Sequence, residues 1–179
     1  CRQLQPYPGG CRSSFMKVLL VRGNPRKNGL TQQFTDLFLQ GLQEVSASVT
    51  DVALVDSPPQ PCLGCFHCWL AAPGQCVHGD GMAPLLEALR QTEVLVCATP
   101  IYYYAMSSLM KAFWERTFPL AQHGFTSSTR GLTRNSLRYP EQWHGKKFIT
   151  ILIGALRDPQ AFRPALDTFQ LIADSLDLE

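Results

Sequence analysis

The sequence has no long hydrophobic run and no strong excess of charge of either sign. Its longest apolar stretches, such as residues 94–98 and 148–153, have the length of buried strands and not of membrane helices. Sixteen basic and fourteen acidic residues give a net charge of +2, which is too weak a field to favour binding of nucleic acid. We therefore expect a cytoplasmic protein that acts on small molecules, with neither a membrane nor a nucleic acid as its partner.

Signals for secretion are also missing. Seven cysteines would suit a disulfide scaffold only in a small secreted chain, and no signal peptide is recognisable, so a reducing compartment is expected. With 179 residues and 45% hydrophobic content, the chain can bury one sizeable core. Residues 1–15 are rich in Pro and Gly and show no periodicity. We predict that they are a disordered extension or cloning remnant, and that one domain spans residues 16–179.

From Met16 onward, short apolar runs alternate with amphipathic helical patterns. This order is typical of a parallel sheet covered by helices on both faces. A long polar connection, residues 119–145, is expected to act as a lid or a dimer arm. The predicted strands are residues 17–21, 49–55, 94–98 and 148–153, and the predicted helices cover residues 30–45, 82–89, 106–114 and 160–176.

The turn after the first strand has the composition of a phosphate-binding loop. Residues 22–31 lead directly into a helix, whose first backbone N–H groups and positive dipole end attract anions. Asn24, Asn28 and Thr31 add neutral donors, and Arg26 or Lys27 can supply charge. The spacing matches neither a Walker A loop nor Gly-x-Gly-x-x-Gly. We interpret it as a site for a mononucleotide phosphate, with a solvated basic turn as the alternative.

The loop after the third strand carries three consecutive tyrosines. Tyr102, Tyr103 and Tyr104 follow Pro100, and together they can cover a planar ring while backbone amides bond to its polar edge. Ligands of doubly wound sheets bind beyond the carboxyl ends of the strands, so this loop and the phosphate loop are expected at one site. The alternative is that the tyrosines pack against neighbouring helices or a dimer partner.

Four cysteines fall within fifteen residues and form the sharpest chemical signal in the chain. Their spacing is C-x2-C-x2-C-x7-C, and it comprises Cys62, Cys65, Cys68 and Cys76. Thiolates suit iron–sulfur clusters and zinc, and a short loop can bring several of them together at modest entropic cost. The alternative is a set of small buried or disulfide-paired cysteines.

Together these motifs resemble the flavodoxin-like NAD(P)H-dependent oxidoreductases, which include the NADPH-dependent FMN reductases and the iron–sulfur flavoproteins. The resemblance is carried by residues 23–31, the cysteine loop ending at 73–77, and residues 100–107 leading into 109–113. It implies an α/β fold with a doubly wound parallel sheet of order 2-1-3-4-5. The fifth strand is missing from the pattern, so we expect a C-terminally truncated domain or a sheet edge covered by a partner. Tyr104-Ala105 stands where the family frequently has Gly-Asn.

The resemblance also implies a function. FMN would pass electrons from NAD(P)H to a quinone, a flavin or another small acceptor, and the flavin would carry the chemistry without a catalytic acid or base. A [4Fe–4S] cluster on Cys62, Cys65, Cys68 and Cys76 would add a one-electron relay near FMN at a subunit contact, in a homodimer or homotetramer. The implied FMN-binding residues are Asn24, Arg26, Asn28 and Thr31 at the phosphate, and Pro100, Ile101, Tyr102, Tyr103, Tyr104 and Met106 at the isoalloxazine.

Two functions from another class remain open on the residues alone. One is an electron carrier that bears a flavin but has no nicotinamide site. The other is a non-enzymatic zinc-loop binding module on the same scaffold, since four thiolates suit zinc as well as iron.

Overall fold

The computed structural model describes residues 15–45 and 47–179. Residues 1–14 of the predicted extension lie outside the described residues, so the boundary at Met16 stays a prediction. The regular elements are β1 (Lys17–Arg22), α1 (Leu30–Glu44), β2 (Ser48–Ala53), α2 (His67–Leu70), α3 (Met82–Gln91), β3 (Val94–Tyr102), β4 (Ala105–Met106), α4 (Ser108–Glu115), β5 (Ala121–Ser127), β6 (Thr133–Leu137), β7 (Lys147–Ile153) and α5 (Arg163–Leu176).

Four strands form a parallel sheet in the order β2-β1-β3-β7. β1 lies between β2 and β3, with Val18 opposite both Val49 and Val94. β7 pairs with the other side of β3, from Lys147 opposite Val94 onward. This order confirms the predicted flavodoxin-like arrangement for its first four strands. Within the described residues there is no fifth parallel strand.

The two faces of the sheet are covered by different helices. Residues alternate between the faces, as the two-residue period of a strand requires. Helices α3, α4 and α5 cover the face that contains Leu19, Val21, Leu95 and Cys97. The opposite face packs against the apolar side of α1 and consists of Val18, Leu20, Val96 and Ala98. None of the helices described between residues 15 and 179 is long and apolar enough to cross a membrane.

The third strand and the helix that follows differ from their predicted bounds. β3 continues past its expected end because Ile101 and Tyr102 pair with Met106 and Ala105 of β4 in a tight hairpin. Met106, predicted to lie in the helix, therefore belongs to a strand. α4 begins two residues later, where the Ser107 hydroxyl accepts a hydrogen bond from the Met110 backbone N–H at 3.2 Å and caps the helix.

The long connection before the last strand contains regular structure that the sequence pattern did not predict. β5 and β6 form an antiparallel hairpin with an irregularity between Gln122 and Phe125. Arg130 and Arg134 of this hairpin form ion pairs with Asp174 and Asp177 at the end of α5. The hairpin is thus attached to the end of the last helix.

Candidate functional site

The two predicted ligand loops meet at the carboxyl edge of the sheet. The Ser107 hydroxyl, just beyond the β3–β4 hairpin, donates to the Gly23 carbonyl at 2.5 Å. The Ser107 backbone N–H donates to Thr99 Oγ1 at 3.0 Å, and the Gly23 N–H donates to the Ala98 carbonyl at 2.8 Å. These bonds join the loop after β1 to the loop after β3. Sequence reasoning did not assign Ser107 a role, although a serine just before a helical pattern is a recognisable cap signal.

Gly23 is required by close packing at this junction. A Cβ atom at this position would lie 2.8 Å from Met110 Cβ and 3.1 Å from Ser107 Oγ. Contacts below 3.0 Å do not occur between such atoms without a shift of the backbone. A side chain here would therefore push the phosphate loop away from α4.

The start of α1 is open to an anion. Gly29 precedes the helix with extended backbone and offers no side-chain cap, and the first turn contains no acidic residue. The first amides of the helix are therefore available to a ligand. Thr31 is buried in this turn, where its hydroxyl can add another donor. Among the predicted phosphate ligands, Arg26 and Asn28 are exposed at the rim.

Asn24 holds the shape of the loop from inside. Its side chain is buried, and Nδ2 donates to the Arg26 carbonyl at 2.9 Å. Its Oδ1 atom is buried without a hydrogen-bond partner among the described residues. Lys27 is an exposed residue of the loop and forms an ion pair with Asp56. The loop thus offers backbone amides, Asn24 and Thr31 at its centre and positive charge only at its surface.

The buried Arg22 beneath the loop is already neutralised by protein carboxylates. Its guanidinium donates to Asp51 at 2.6 and 2.7 Å and to Asp36 at 2.6 Å. Burial lowers the pKa of Arg22, but the hydrogen bonds to Asp51 and Asp36 outweigh it and raise the pKa above its usual value. Arg22 therefore anchors β1 to β2 and α1, and it is not available to a ligand.

The tyrosine turn has an unusual backbone. Tyr103 and Tyr104 connect β3 to β4 with φ values of 51° and 67°. A two-residue hairpin with both residues at positive φ ordinarily uses Asn and Gly, because a Cβ atom is strained there. Tyr103 is 96% exposed, and Tyr102 and Tyr104 are about half exposed. Strained, exposed aromatics at a ligand edge are typical of a binding site.

A cavity of about 240 Å³ lies between the tyrosine turn and the loop after β7, and we call it the ring cavity. Ile101, Tyr103 and Tyr104 line one side. The other three predicted ring residues do not line it: Pro100 is buried in β3, Met106 lies in the hydrophobic core, and Tyr102 is exposed at the end of β3. Sequence reasoning missed the opposite wall, although β7 neighbours β3 and its following loop reaches the same edge. This wall consists of Gly154, Ala155, Leu156, Ala161 and Phe162.

The four predicted metal ligands line a second cavity, of about 70 Å³, which we call the cysteine cavity. All four are free thiols, and no disulfide joins them to one another or to Cys97, the other cysteine among the described residues. Burial raises the pKa of Cys68, and the neighbouring Cys76, Cys62 and Cys65 raise it further. In the described parts of the chain, no group of three His, Cys, Asp or Glu side chains has the arrangement of a metal site.

An ion pair between distant residues supports the cysteine loop. Arg116, at the end of α4 and only 1% exposed, donates to both carboxylate oxygens of Asp80 at 2.7 and 2.8 Å. It also donates to the Gln60 carbonyl at 2.8 Å. Burial raises the pKa of Asp80, but hydrogen bonds from Arg116 and from the backbone amides of Gln60 and Met82 lower it to about 2. Sequence reasoning missed this pair because its members are far apart in the chain.

The cysteine cavity and the ring cavity have no lining residue in common within the described structure. The cysteine cavity lies at the end of α4, where Glu115, Arg116 and Phe118 line it. Trp69 of α2 attaches the loop there by donating to the Phe118 carbonyl at 2.9 Å. The structure therefore brings together the two loops predicted to bind a mononucleotide, and it places the cysteines in a neighbouring compartment.

Comparison with known proteins gives a consistent result. The family described as NADPH-dependent FMN reductase matches residues 16–172. An iron–sulfur flavoprotein of Archaeoglobus fulgidus is 31% identical over 104 residues, which cover 58% of this chain and 46% of that protein. An iron–sulfur flavoprotein of Methanocaldococcus jannaschii is 27% identical over 105 residues, which cover 59% of this chain and 53% of that protein. The chain spans about half the length of these curated relatives.

A solved structure shows a similar fold. The FMN-dependent NADH-azoreductase from Bacillus anthracis in complex with FMN superposes with a TM-score of 0.68 at 13% sequence identity. The alignment covers 92% of this chain and 84% of the azoreductase. At this identity the likeness concerns the fold.

Proposed function

Because the chain belongs to the NADPH-dependent FMN reductase family, we propose that it is an oxidoreductase that binds FMN at the carboxyl edge of its sheet. Electrons pass from NAD(P)H through FMN to a quinone, a free flavin or another small acceptor. The observation that carries this proposal is the hydrogen bond from Ser107 to Gly23, which joins an uncapped helix start to an aromatic turn. An anion site and a ring site in one rigid frame suit a mononucleotide with a planar base.

The residues of the phosphate loop fit the phosphate of FMN. The open amides at the start of α1 and the buried Thr31 supply donors to its oxygens, and Arg26 with Asn28 cover it from the rim. Asn24 keeps the loop in shape through its bond to the Arg26 carbonyl. Since Arg22 is neutralised from below, binding depends on backbone amides more than on a buried charge.

The ring cavity fits the isoalloxazine. Ile101, Tyr103 and Tyr104 line one side of it, and the two tyrosines offer aromatic faces. Pro100, Tyr102 and Met106 do not line the cavity, and they would act by fixing the hairpin that carries these residues. FMN held there would supply the redox chemistry between a nicotinamide and the acceptor. Ile101, Tyr103 and Tyr104 on one side and Leu156 and Phe162 on the other would hold the ring in place.

The cysteine cavity supports a narrower proposal, that Cys62, Cys65, Cys68 and Cys76 hold a [4Fe–4S] cluster. Four free thiols on one cavity, in a chain similar to proteins named iron–sulfur flavoproteins, support it. Among the described residues these thiols do not have the arrangement of a metal site, so they would have to move closer together to hold a cluster. Zinc is the competing occupant, because four thiolates suit it equally well. Analysis of iron, sulfide and zinc in protein purified without oxygen decides between them.

A visible spectrum and a reductant titration test the main proposal. The purified protein should bind one FMN, and anaerobic NADPH or NADH should bleach the flavin band. Protein that binds no FMN overturns the proposal, and FMN that neither nucleotide bleaches favours the electron carrier. Thr31→Val should weaken FMN binding about tenfold, the effect of one hydrogen bond to a charged group. Thr168→Val, which removes an exposed hydroxyl from α5, should leave FMN binding unchanged.

A homodimer or homotetramer is the assembly we propose for this enzyme. The exposed tyrosine turn supports it, since Tyr103 is 96% exposed and a partner subunit can cover it. Light scattering of the FMN-loaded protein measures the assembly directly.

A further inference from the structure

A cavity of about 320 Å³ lies against the outer side of the cysteine cavity, and we call it the arginine cavity. Cys76, His78, Arg116 and Pro119 line both cavities and form the wall between them. The arginine cavity has no lining residue in common with the ring cavity. It is therefore separate from the site proposed for FMN.

Three arginines line this cavity, and two of them are already neutralised. Arg90 forms an ion pair with Glu87 at 2.7 Å, and its guanidinium lies 3.9 Å above the Tyr139 ring. Arg116 is paired with Asp80. Within the described residues Arg138 has no carboxylate partner, and its hydrogen bonds go to backbone carbonyls. The cavity thus carries about one uncompensated positive charge, which suits a monoanion better than a dianion.

Arg138 is held in a fixed position. Its Nε donates to the Pro119 carbonyl at 3.1 Å, and Nη2 donates to the Ala121 carbonyl at 3.3 Å. Gly74, at a φ of 84°, lies against the same side chain: a Cβ atom there would be in van der Waals contact with Arg138 Cδ and Nε, at 3.5 Å. These contacts leave Nη1 without a partner in the part of the chain that the structure describes. A fixed guanidinium with an unused donor group is the usual binding element for a carboxylate.

The shared wall adds unsatisfied polar groups. Arg116 Nε and His78 Nε2 are buried and have no hydrogen-bond partner among the described residues. A buried polar atom without a partner is unfavourable, and a nearby ligand oxygen reduces that penalty.

Part of the cavity lining is apolar, next to the Glu87–Arg90 pair of α3. Met82, Ala83 and Leu86 of α3 line it together with Leu120. A fully hydrophilic ion would leave this surface without a partner, whereas an apolar body would cover it.

We propose that the arginine cavity binds a small monocarboxylate with an apolar body. The carboxylate pairs with Arg138 on the side of the shared wall, and the apolar body lies against α3. This site is additional to the proposed FMN site, and it places a bound anion beside Cys76.

Calorimetric titration of the FMN-loaded protein with benzoate and with its neutral analogue benzamide tests the proposal. Benzoate should bind once per chain, and benzamide at least tenfold more weakly, since one charge-assisted hydrogen bond is lost. Arg138→Gln should weaken benzoate at least tenfold. Ala83→Phe, at an exposed position of α3 that lines the cavity, should fill the cavity and abolish binding.

The control variant is Arg163→Gln, which removes a surface cation on α5 remote from the cavity. Benzoate affinity should be unchanged in it, and the flavin spectrum should not change on titration. Equal binding of benzamide, no benzoate binding at millimolar concentration, or equal weakening by Arg163→Gln overturns the proposal. So does a benzoate-induced flavin shift that persists in Ala83→Phe, since the anion then lies in the ring cavity.

Discussion

The carboxyl edge of the sheet and the cysteine loop position their functional groups in different ways. At the edge, the functional groups are positioned mainly by regular elements and backbone contacts. The start of α1 lies on one side and the β3–β4 hairpin on the other. The cysteine loop has only the four-residue α2, and it is held by long-range hydrogen bonds from the Arg116 side chain and from Trp69 to the Phe118 carbonyl. Local structure should therefore make the edge robust, whereas the cysteine loop should depend on a few long-range bonds.

The largest expected effect comes from Arg116→Met, which removes the ion pair with Asp80 that holds the cysteine loop and does not alter the carboxyl edge. Removing one partner of a buried ion pair leaves Asp80 uncompensated, and we expect a loss of roughly 4 kcal/mol in the free energy of unfolding. FMN affinity of the folded protein should stay within about twofold, because the edge site does not use this pair. Urea unfolding and FMN titration measure the two quantities.

The matched control for this prediction is Arg163→Met. Arg163 and Asp167 form an exposed pair on α5, so its loss should change the free energy of unfolding by less than about 0.5 kcal/mol. A large drop in FMN affinity in Arg116→Met would show that the carboxyl edge depends on the cysteine loop, which contradicts the difference drawn between the two regions.

Gly23→Val should disturb the carboxyl edge of the sheet and leave the cysteine loop intact. The new side chain clashes with Met110 Cβ, which cannot rotate away. We expect the free energy of unfolding to fall by roughly 3 kcal/mol and FMN to bind at least tenfold more weakly. The metal content per folded chain should not change. Gly41→Ala is the control, since no atom lies within 4 Å of a Cβ at Gly41 in α1, and it should stabilise the protein by about 0.5–1 kcal/mol.

Acid should weaken the cysteine region through Asp80. The pKa of Asp80 is about 2 in the fold against 3.8 ordinarily, so between these values the unfolded chain binds the extra proton. Its stabilising contribution is complete above pH 4 and is lost as the pH falls toward 2. We expect the free-energy difference between the wild type and Asp80→Asn to shrink by about 2 kcal/mol over this window.

Urea unfolding at a series of pH values measures the Asp80 effect. Asp167→Asn removes an exposed carboxylate and serves as the control. A difference between wild type and Asp80→Asn that is constant from pH 5 to pH 2 contradicts the assignment.

The smallest effect is expected at the tyrosine turn. Replacing Tyr103-Tyr104 by Asn-Gly should relieve the strain of two positive φ values and stabilise the fold by about 1 kcal/mol. FMN should bind more weakly, because the aromatic faces are lost. Thermal unfolding without FMN measures the gain in stability, and FMN titration measures the loss of affinity. Tyr102→Phe, which keeps a ring next to the turn, is the control.

The difference between local structure at the carboxyl edge and long-range bonds at the cysteine loop also explains what could be predicted from the sequence. The four parallel strands and α1 follow from local apolar patterns, and the sheet-edge rule places residues 22–31 and 99–107 together. The β3–β4 hairpin was missed because Tyr-Tyr is not a recognised turn signal. The β5–β6 hairpin was missed because its exposed, polar strands lack an alternating pattern and are broken near Gln122. Arg116 with Asp80 could not be predicted, since only the folded chain brings them together.

The bond from Ser107 to Gly23 has a consequence for cofactor selection. It makes the anion subsite and the aromatic subsite parts of one body, so a ligand bound at one end has a high effective concentration at the other. Riboflavin and inorganic phosphate, offered as separate molecules, each use only one subsite and gain nothing from this linkage. If FMN binds as we propose, its discrimination from its two fragments would depend on the Ser107 hydroxyl, which fixes the spacing of the two loops.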